Sequence, residues 1–287
     1  MLRLSGFVLA FFWLLASLAL ASPGSKVPSS YDVSKYSTSF LGGAIIDINQ
    51  TQTPGKAPEF PAIGNVSADW NVPWMKAPTD ADLSNPGNRH TMAQWIGILG
   101  NTCDNKNWSP FIQAGTAIDM DENGTTTAYA WIEWFPAASH NIPREVFAVS
   151  PGDQVRMITN VYTRTTGHVY MENLVTGQQH ERDVTADSPQ NPEFLICLGY
   201  GTAQFFVEWV IADDREEVPV FNNVTFTNVG AVDRHGNHFN FSVGADYWNM
   251  IDANRPVALP EDIDRTSFVV YSPGGNTWTG NELRTDT

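Results

Sequence analysis

Beyond its first twenty residues the chain offers almost no helical periodicity. It repeats short runs instead: "GGAIIDI", "AQWIGIL", "TAYAWIEWF", "DQVRMITNVY", "HVYMENLV", "AQFFVEWVI", "NVTFTNV" and "SFVVY". These are rich in β-branched and aromatic residues and are spaced by Gly, Pro, Asn and Asp, which is the pattern of strands and turns. The 287 residues show no internal repeat and no clear linker, so one all-β domain, a sandwich or a barrel, is expected. "HVYMENLV" and "QQHERDV", meeting around Thr176-Gly177, predict a hairpin. The Pro- and Asn-rich stretch from about Thr51 to Arg89 reads as a long loop region.

Strand alternation sorts the polar residues within those runs, because side chains two apart share a face. In "TAYAWIEWFP" Tyr129, Trp131, Glu133 and Phe135 lie together. In "AQFFVEWVI" Gln204, Phe206, Glu208 and Val210 do. Both faces of both strands are largely apolar, as in a sheet packed on one side and forming an aromatic cleft on the other. Glu133 and Glu208 are either solvent-facing carboxylates on an exposed sheet or buried ones, and a buried carboxyl is found where a shifted pKa serves chemistry. Gln113, in "NWSPFIQAGTAID", raises the same question for a neutral amide in an apolar setting.

The N-terminus has the order of a secretory signal: Arg3, an apolar run from Phe7 to Leu20, and Ala19-Leu20-Ala21 as a cleavage site, which places the signal at residues 1–21. A membrane anchor is the other reading, but the run is short for a bilayer span and no second apolar segment follows. A secreted, extracellular protein is therefore expected. Residues 22–39 read as a short leader, 40–271 as the folded domain and 272–287 as a polar tail. An oxidising compartment favours pairing the only two cysteines, Cys103 and Cys197. Sequons begin at Asn49, Asn65, Asn107, Asn123, Asn223 and Asn240. The formal charge of -15 and the scarcity of Lys and Arg exclude a nucleic-acid partner and suit a protein working in acid.

Taken in order, a set of separated motifs from about Phe40 to about Tyr271 resembles the eqolisins, the fungal glutamic peptidases. "GGAIIDI" is similar to that family's opening strand, "VSADWNVP" to the block after it, and "WIGILGNTC" to its Trp-Val-Gly-Ile-Asp-Gly-Asp-Thr-Cys motif. "FIQAGT" looks like the segment carrying the catalytic Gln, and "YAWIEWFP" resembles the Ala-Trp-Tyr-Glu-Trp-Tyr-Pro signature. "PGDQVRM", "MENLVTGQ", "AQFFVEWV" and "EEVPVF" resemble the family's later blocks, the third of them the one with the catalytic Glu. The resemblance implies a single-domain, concanavalin-like sandwich of two antiparallel sheets. It further implies a peptidase whose dyad is Gln113 and Glu208, a cleft lined by Trp95, Glu133 and Phe135, and a disulfide between Cys103 and Cys197. Protein or peptide substrates, no cofactor, no metal, no membrane partner and a monomeric state complete the expectation.

Three departures bear on specificity: Leu99 replaces the first Asp of the Trp-Val-Gly-Ile-Asp motif, Leu41 a Trp, and Ile132 a Tyr. Pocket shape is therefore not transferable, and an inactive relative kept for binding stays in view. So does a carbohydrate-binding sandwich, or a glycosidase using Glu133 and Glu208, given Tyr129, Trp131 and Trp134 for stacking. His235 and His238 form a His-x-x-His beside Gly and Asn, which reads as a turn rather than a zinc helix.

Overall fold

A computed structural model describes residues 37–38, 40–47, 63–77, 90–101, 110–121, 123–191, 196–210, 219–252 and 255–272. In chain order the strands are β1 (Ser37–Thr38), β2 (Leu41–Asp47), β3 (Ile63–Asn71), β4 (Met75–Lys76), β5 (His90–Asn101) and β6 (Phe111–Met120). They continue as β7 (Thr126–Phe135), β8 (His140–Ile142), β9 (Gln154–Val161), β10 (Thr166–Asn173), β11 (Gln179–Thr185) and β12 (Cys197–Val210). The last are β13 (Val220–Phe221), β14 (Val224–Asp233), β15 (His238–Phe239), β16 (Asp246–Asp252), β17 (Arg255–Asp264) and β18 (Ser267–Tyr271). The helical content among the described residues is one 3-10 turn at Phe241–Val243. None of the helices there is long and apolar enough to cross a membrane.

Hydrogen bonds run through the order β11-β10-β9-β3-β14-β18-β17-β16-β2-β12-β5-β6-β7-β8, all antiparallel, with β1 added in parallel to β16. The ribbon folds over near β17 and β16, so that β3 and β9 pack on β5, β6 and β12. One core fills the space between: Val66, Trp70, Met157, Val169, Phe226 and Val270 from the first layer meet Ile96, Ile112, Ile118, Phe205 and Val207 from the second. This is the expected sandwich. The layers are also joined by a buried polar chain, in which Trp70 Nε1 donates to Thr116 Oγ1 (3.0 Å) and Thr116 Oγ1 donates to Gln94 Oε1 (3.0 Å).

Each of the eight runs quoted first overlaps a strand over its described residues, and the expected hairpin pairs Glu172 with Gln179 around Gly177, whose φ of 73° suits glycine. One expectation is overturned: the stretch from Thr51 to Arg89 contains β3, a central strand between β9 and β14. Val66, Ala68 and Trp70 point into the core, while polar Asn65, Ser67 and Asp69 disguise the alternation from the other face. The end of the expected leader also enters the fold, since Ser37 and Thr38 pair with Asn249 and Met250.

Candidate active site

The layer β2-β12-β5-β6-β7 is apolar on both faces, as alternation predicted. On its outer face Leu41, Ala93, Trp95, Ala117, Trp131 and Phe206 form a second cluster, separate from the main core. Register fixes the rows of that face. Gln204, Gly97, Gln113 and Glu133 lie side by side across β12, β5, β6 and β7. Phe206, Trp95, Gly115 and Trp131 form the next row, and Glu208, Ala93, Ala117 and Tyr129 the one after.

Two hydrogen bonds organise the polar groups. Gln113 Nε2 donates to Glu133 Oε2 at 2.5 Å, and Trp95 Nε1 donates to Glu208 Oε2 at 2.8 Å. Gln113 is 1% exposed, Glu133 7% and Glu208 9%. The other atom of the Gln113 amide, Oε1, has no hydrogen-bond partner among the described residues. Desolvation pushes the Glu133 carboxyl up to about 8, against the bond from Gln113 and with help from the nearby Glu208 charge. Desolvation likewise pushes Glu208 up to about 7, with the Trp95 N–H acting in the opposite sense. Glu208 therefore lies within electrostatic reach of the carboxyl that holds Gln113.

Two glycines that sequence reasoning did not single out shape this face. A Cβ on Gly97 would lie 3.2 Å from Gln113 Cβ and 3.3 Å from the Trp95 ring. One on Gly115 would meet the Gln94 carbonyl oxygen at 2.3 Å, Trp95 Cβ at 2.7 Å and Trp131 Cε2 at 3.1 Å. Their signal was glycine in the middle of an otherwise β-forming run. Phe135 stacks on Phe111 with centroids 4.9 Å apart, and Trp95 packs on Phe206 at 5.1 Å. Gln113, Glu133, Phe135, Trp95 and Glu208 thus all fall on one face.

The remaining expected sites are dispersed. Asn123 and Asn223 are exposed. Asn65 is half-buried with its Nδ2 donating to Asn160 Oδ1 at 2.7 Å, and the half-buried Asn240 accepts from Ser242 N. Asn49, Asn107 and Cys103 lie outside the described residues, and with Cys103 the expected disulfide to Cys197. His235 is exposed in the β14–β15 turn and His238 is exposed at the start of β15.

The Peptidase A4 family profile matches residues 33–272. The chain belongs to the Peptidase A4 family. Among its relatives, aspergillopepsin-2 of Aspergillus niger is 29% identical over 142 residues, which are 48% of this chain and 44% of that protein. The chain thus matches less than half the length of that relative. The crystal structure of scytalido-glutamic peptidase with a transition state analog inhibitor superposes with a TM-score of 0.59 at 23% identity, covering 82% of this chain and 98% of that one. SCP-B, a member of the eqolisin family of peptidases in complex with the tripeptide Ala-Ile-His, superposes at 0.56 with 22% identity over 82% and 98% of the two chains. These likenesses establish the fold of the A4 chain, and the family is the one its motifs resemble.

Proposed function

We propose that this A4-family chain is a secreted, acid-acting glutamic endopeptidase that hydrolyses peptide bonds with Gln113 and Glu208. The observation that carries the reading is the placement on one sheet face, with Trp95 in the row between, of an amide whose Oε1 has no partner among the described residues and a buried carboxyl, each held by its own neighbour. Glu208 in its ionised form takes a proton from a water oriented by Gln113 Oε1. The water oxygen bonds to the scissile carbonyl carbon, and the negative charge passes to the carbonyl oxygen, which the second Gln113 N–H stabilises. Collapse re-forms the carbonyl and breaks the C–N bond, with Glu208 delivering its proton to the leaving nitrogen. Glu133 positions the dyad by fixing which way the Gln113 amide faces.

A carboxyl near 7 is mostly protonated in acid, so the base form has to be favoured by donors. Trp95 supplies one, a water held by Gln113 supplies another, and both act to lower the value at which Glu208 ionises. A glycosidase would need both carboxyls at the reacting sugar, whereas Glu133 is committed to Gln113. Signal-peptide removal, extracellular location and protein substrates belong to the same reading.

The test is to incubate the purified protein, its leader removed, with denatured protein at acidic pH in the presence of pepstatin and a chelator. Fragments are expected. They are expected to vanish in Glu208→Gln and to fall about a hundred- to a thousandfold in rate in Gln113→Ala, the cost of losing one oxyanion donor. Near wild-type cleavage by either variant would refute the assignment.

A further inference from the structure

Glu208 stands at the end of a ladder. On its β2 side the pairs run from Thr202–Asp47 to Glu208–Leu41 and stop there, whereas on its β5 side they continue to Val210–Thr91. The last pair of a ladder frays unless something beyond it holds the strand. Here a short bend does so. Thr38 Oγ1 accepts from Leu41 N at 2.7 Å and from Phe40 N at 3.2 Å, and donates to the Leu41 carbonyl oxygen at 3.0 Å. A hydroxyl bonded to the backbone two and three residues on fixes a turn. The turn aims the Phe40 carbonyl oxygen at β12, where it accepts from Trp209 N at 2.8 Å, one residue past the glutamate. Thr38 is itself tied down, because Ser37 and Thr38 pair in parallel with Asn249 and Met250 of β16.

The bend also sets what lies against the carboxyl. Leu41 is the cross-strand partner of Glu208, 3% exposed and on the same face, in the cluster with Trp95 and Phe206. Cβ atoms of such partners are about 4.5–5.5 Å apart, so the Leu41 side chain keeps water off the β2 side of Glu208.

We infer that Thr38 is a positioning residue for Glu208, acting through Leu41, and that Ser37–Leu41 therefore stays in the working enzyme, the cut that removes the leader falling before Ser37. This inference rests on the peptidase reading. It draws the leader boundary back from residue 39 to residue 36 or earlier. The extent of the family match agrees, since it begins at residue 33.

The experiment uses the secreted full-length chain. Intact mass of the active protein gives its first residue, expected at or before Ser37. Thr38→Val keeps the volume and removes the hydroxyl, Thr38→Ser keeps the hydroxyl, and Leu41→Ala keeps the bend while uncovering the carboxyl. Peptide cleavage is followed across pH, together with the urea midpoint of each protein. Thr38→Val is expected to lose about ten- to a hundredfold in kcat with KM little changed. The acid limb of its kcat profile is expected to move to lower pH, because desolvation is the main cause that raises Glu208 and the variant lets water reach it. A fold merely weakened would lower activity without moving that limb. Among the side chains described on this face the other titratable ones are Glu133 and Tyr129 of β7, Asp119 of β6 and Asp246 of β16, and the variants change none of them. Thr38→Ser is expected to match the wild type, and Leu41→Ala to move the limb in the same direction as Thr38→Val, which keeps the test decisive should the latter not fold. An active enzyme whose first residue lies beyond Ser37, or an acid limb unmoved in Thr38→Val and Leu41→Ala, would overturn the inference and leave the dyad standing. A wild-type protein that cleaves no peptide would remove the dyad and the role of Thr38 with it.

Discussion

Trp95 is the side chain that favours the ionised form of Glu208. Trp95 Nε1 bonds its Oε2, and desolvation is the opposing cause that raises it. Trp95→Phe removes the donor and retains an aromatic ring against Phe206, so the carboxyl ionises at higher pH than before. The acid limb of the kcat profile is expected to move to higher pH, with little change once Glu208 is fully ionised, and a profile unmoved by the substitution would deny the bond its role. At Gly115 the constraint is steric. Gly115→Ala would drive a Cβ against the Gln94 carbonyl oxygen and Trp95 Cβ, backbone and stem rather than a flexible tip. A loss of about 1–3 kcal/mol in a urea titration is expected together with loss of cleavage. The sequons divide on the same local grounds. In a glycosylating host Asn123 and Asn223 are expected to carry glycan, because both are exposed, and Asn65 to stay bare, because its Nδ2 is bonded to Asn160. Peptide mapping by mass checks this.

Strands were legible wherever alternation was undisturbed. β5, β7, β9, β10, β12 and β18 follow from their β-branched and aromatic runs, and the hairpin β10–β11 from Thr176-Gly177. β16 and β17 were not foreseen, since Pro256 and Pro260 argue against a strand that the fold nonetheless builds beside β18. Pairing order is a different matter. Nothing local places Glu208 of β12 beside Ala93 of β5, or Gln113 beside Glu133, because register is settled by the packing of both faces. Alternation therefore put Glu133 and Glu208 among aromatic residues, the family motifs assigned the dyad, and only the assembled sheet supplied the Gln113–Glu133 bond. The layers themselves are tied by Trp70, Thr116 and Gln94, all fully buried. Thr116→Val keeps the volume and leaves the Trp70 N–H without an acceptor, at a cost of about 1–3 kcal/mol. Equilibrium unfolding in urea is expected to show that loss, and an unchanged midpoint would mean the chain across the core contributes nothing.

For the whole molecule, the buried carboxyl pair makes stability depend on pH in one direction. Glu133 and Glu208 start from an ordinary value of 4.5 and are pushed, chiefly by desolvation, to about 8 and about 7 in the folded state. Between about 4.5 and 7 the unfolded chain has released both protons while the folded chain still holds them. Stability therefore falls as pH rises through this interval, and goes on falling until about 8 as Glu133 ionises. The full contribution is present below about 4.5. Each retained proton is worth about 1.4 kcal/mol per pH unit, so the loss is on the order of several kcal/mol. Asp233 works the other way, since bonds from Asn237 and His235 outweigh its burial and hold it below 3.8, but its window lies at more acid pH. The formal charge of -15 adds repulsion in the same sense as the pair. A comparison isolates the two glutamates from that general effect: urea midpoints at pH 4 and pH 8 for the wild-type protein and for the Glu133→Gln, Glu208→Gln double variant. The wild type is expected to lose much of its stability at pH 8, and the double variant, which has the same surface and lacks these two buried glutamates, to lose far less. Equal losses in the two proteins would mean that the pair titrates as solvent-exposed carboxyls do. The desolvation that raises both carboxyls would then be absent.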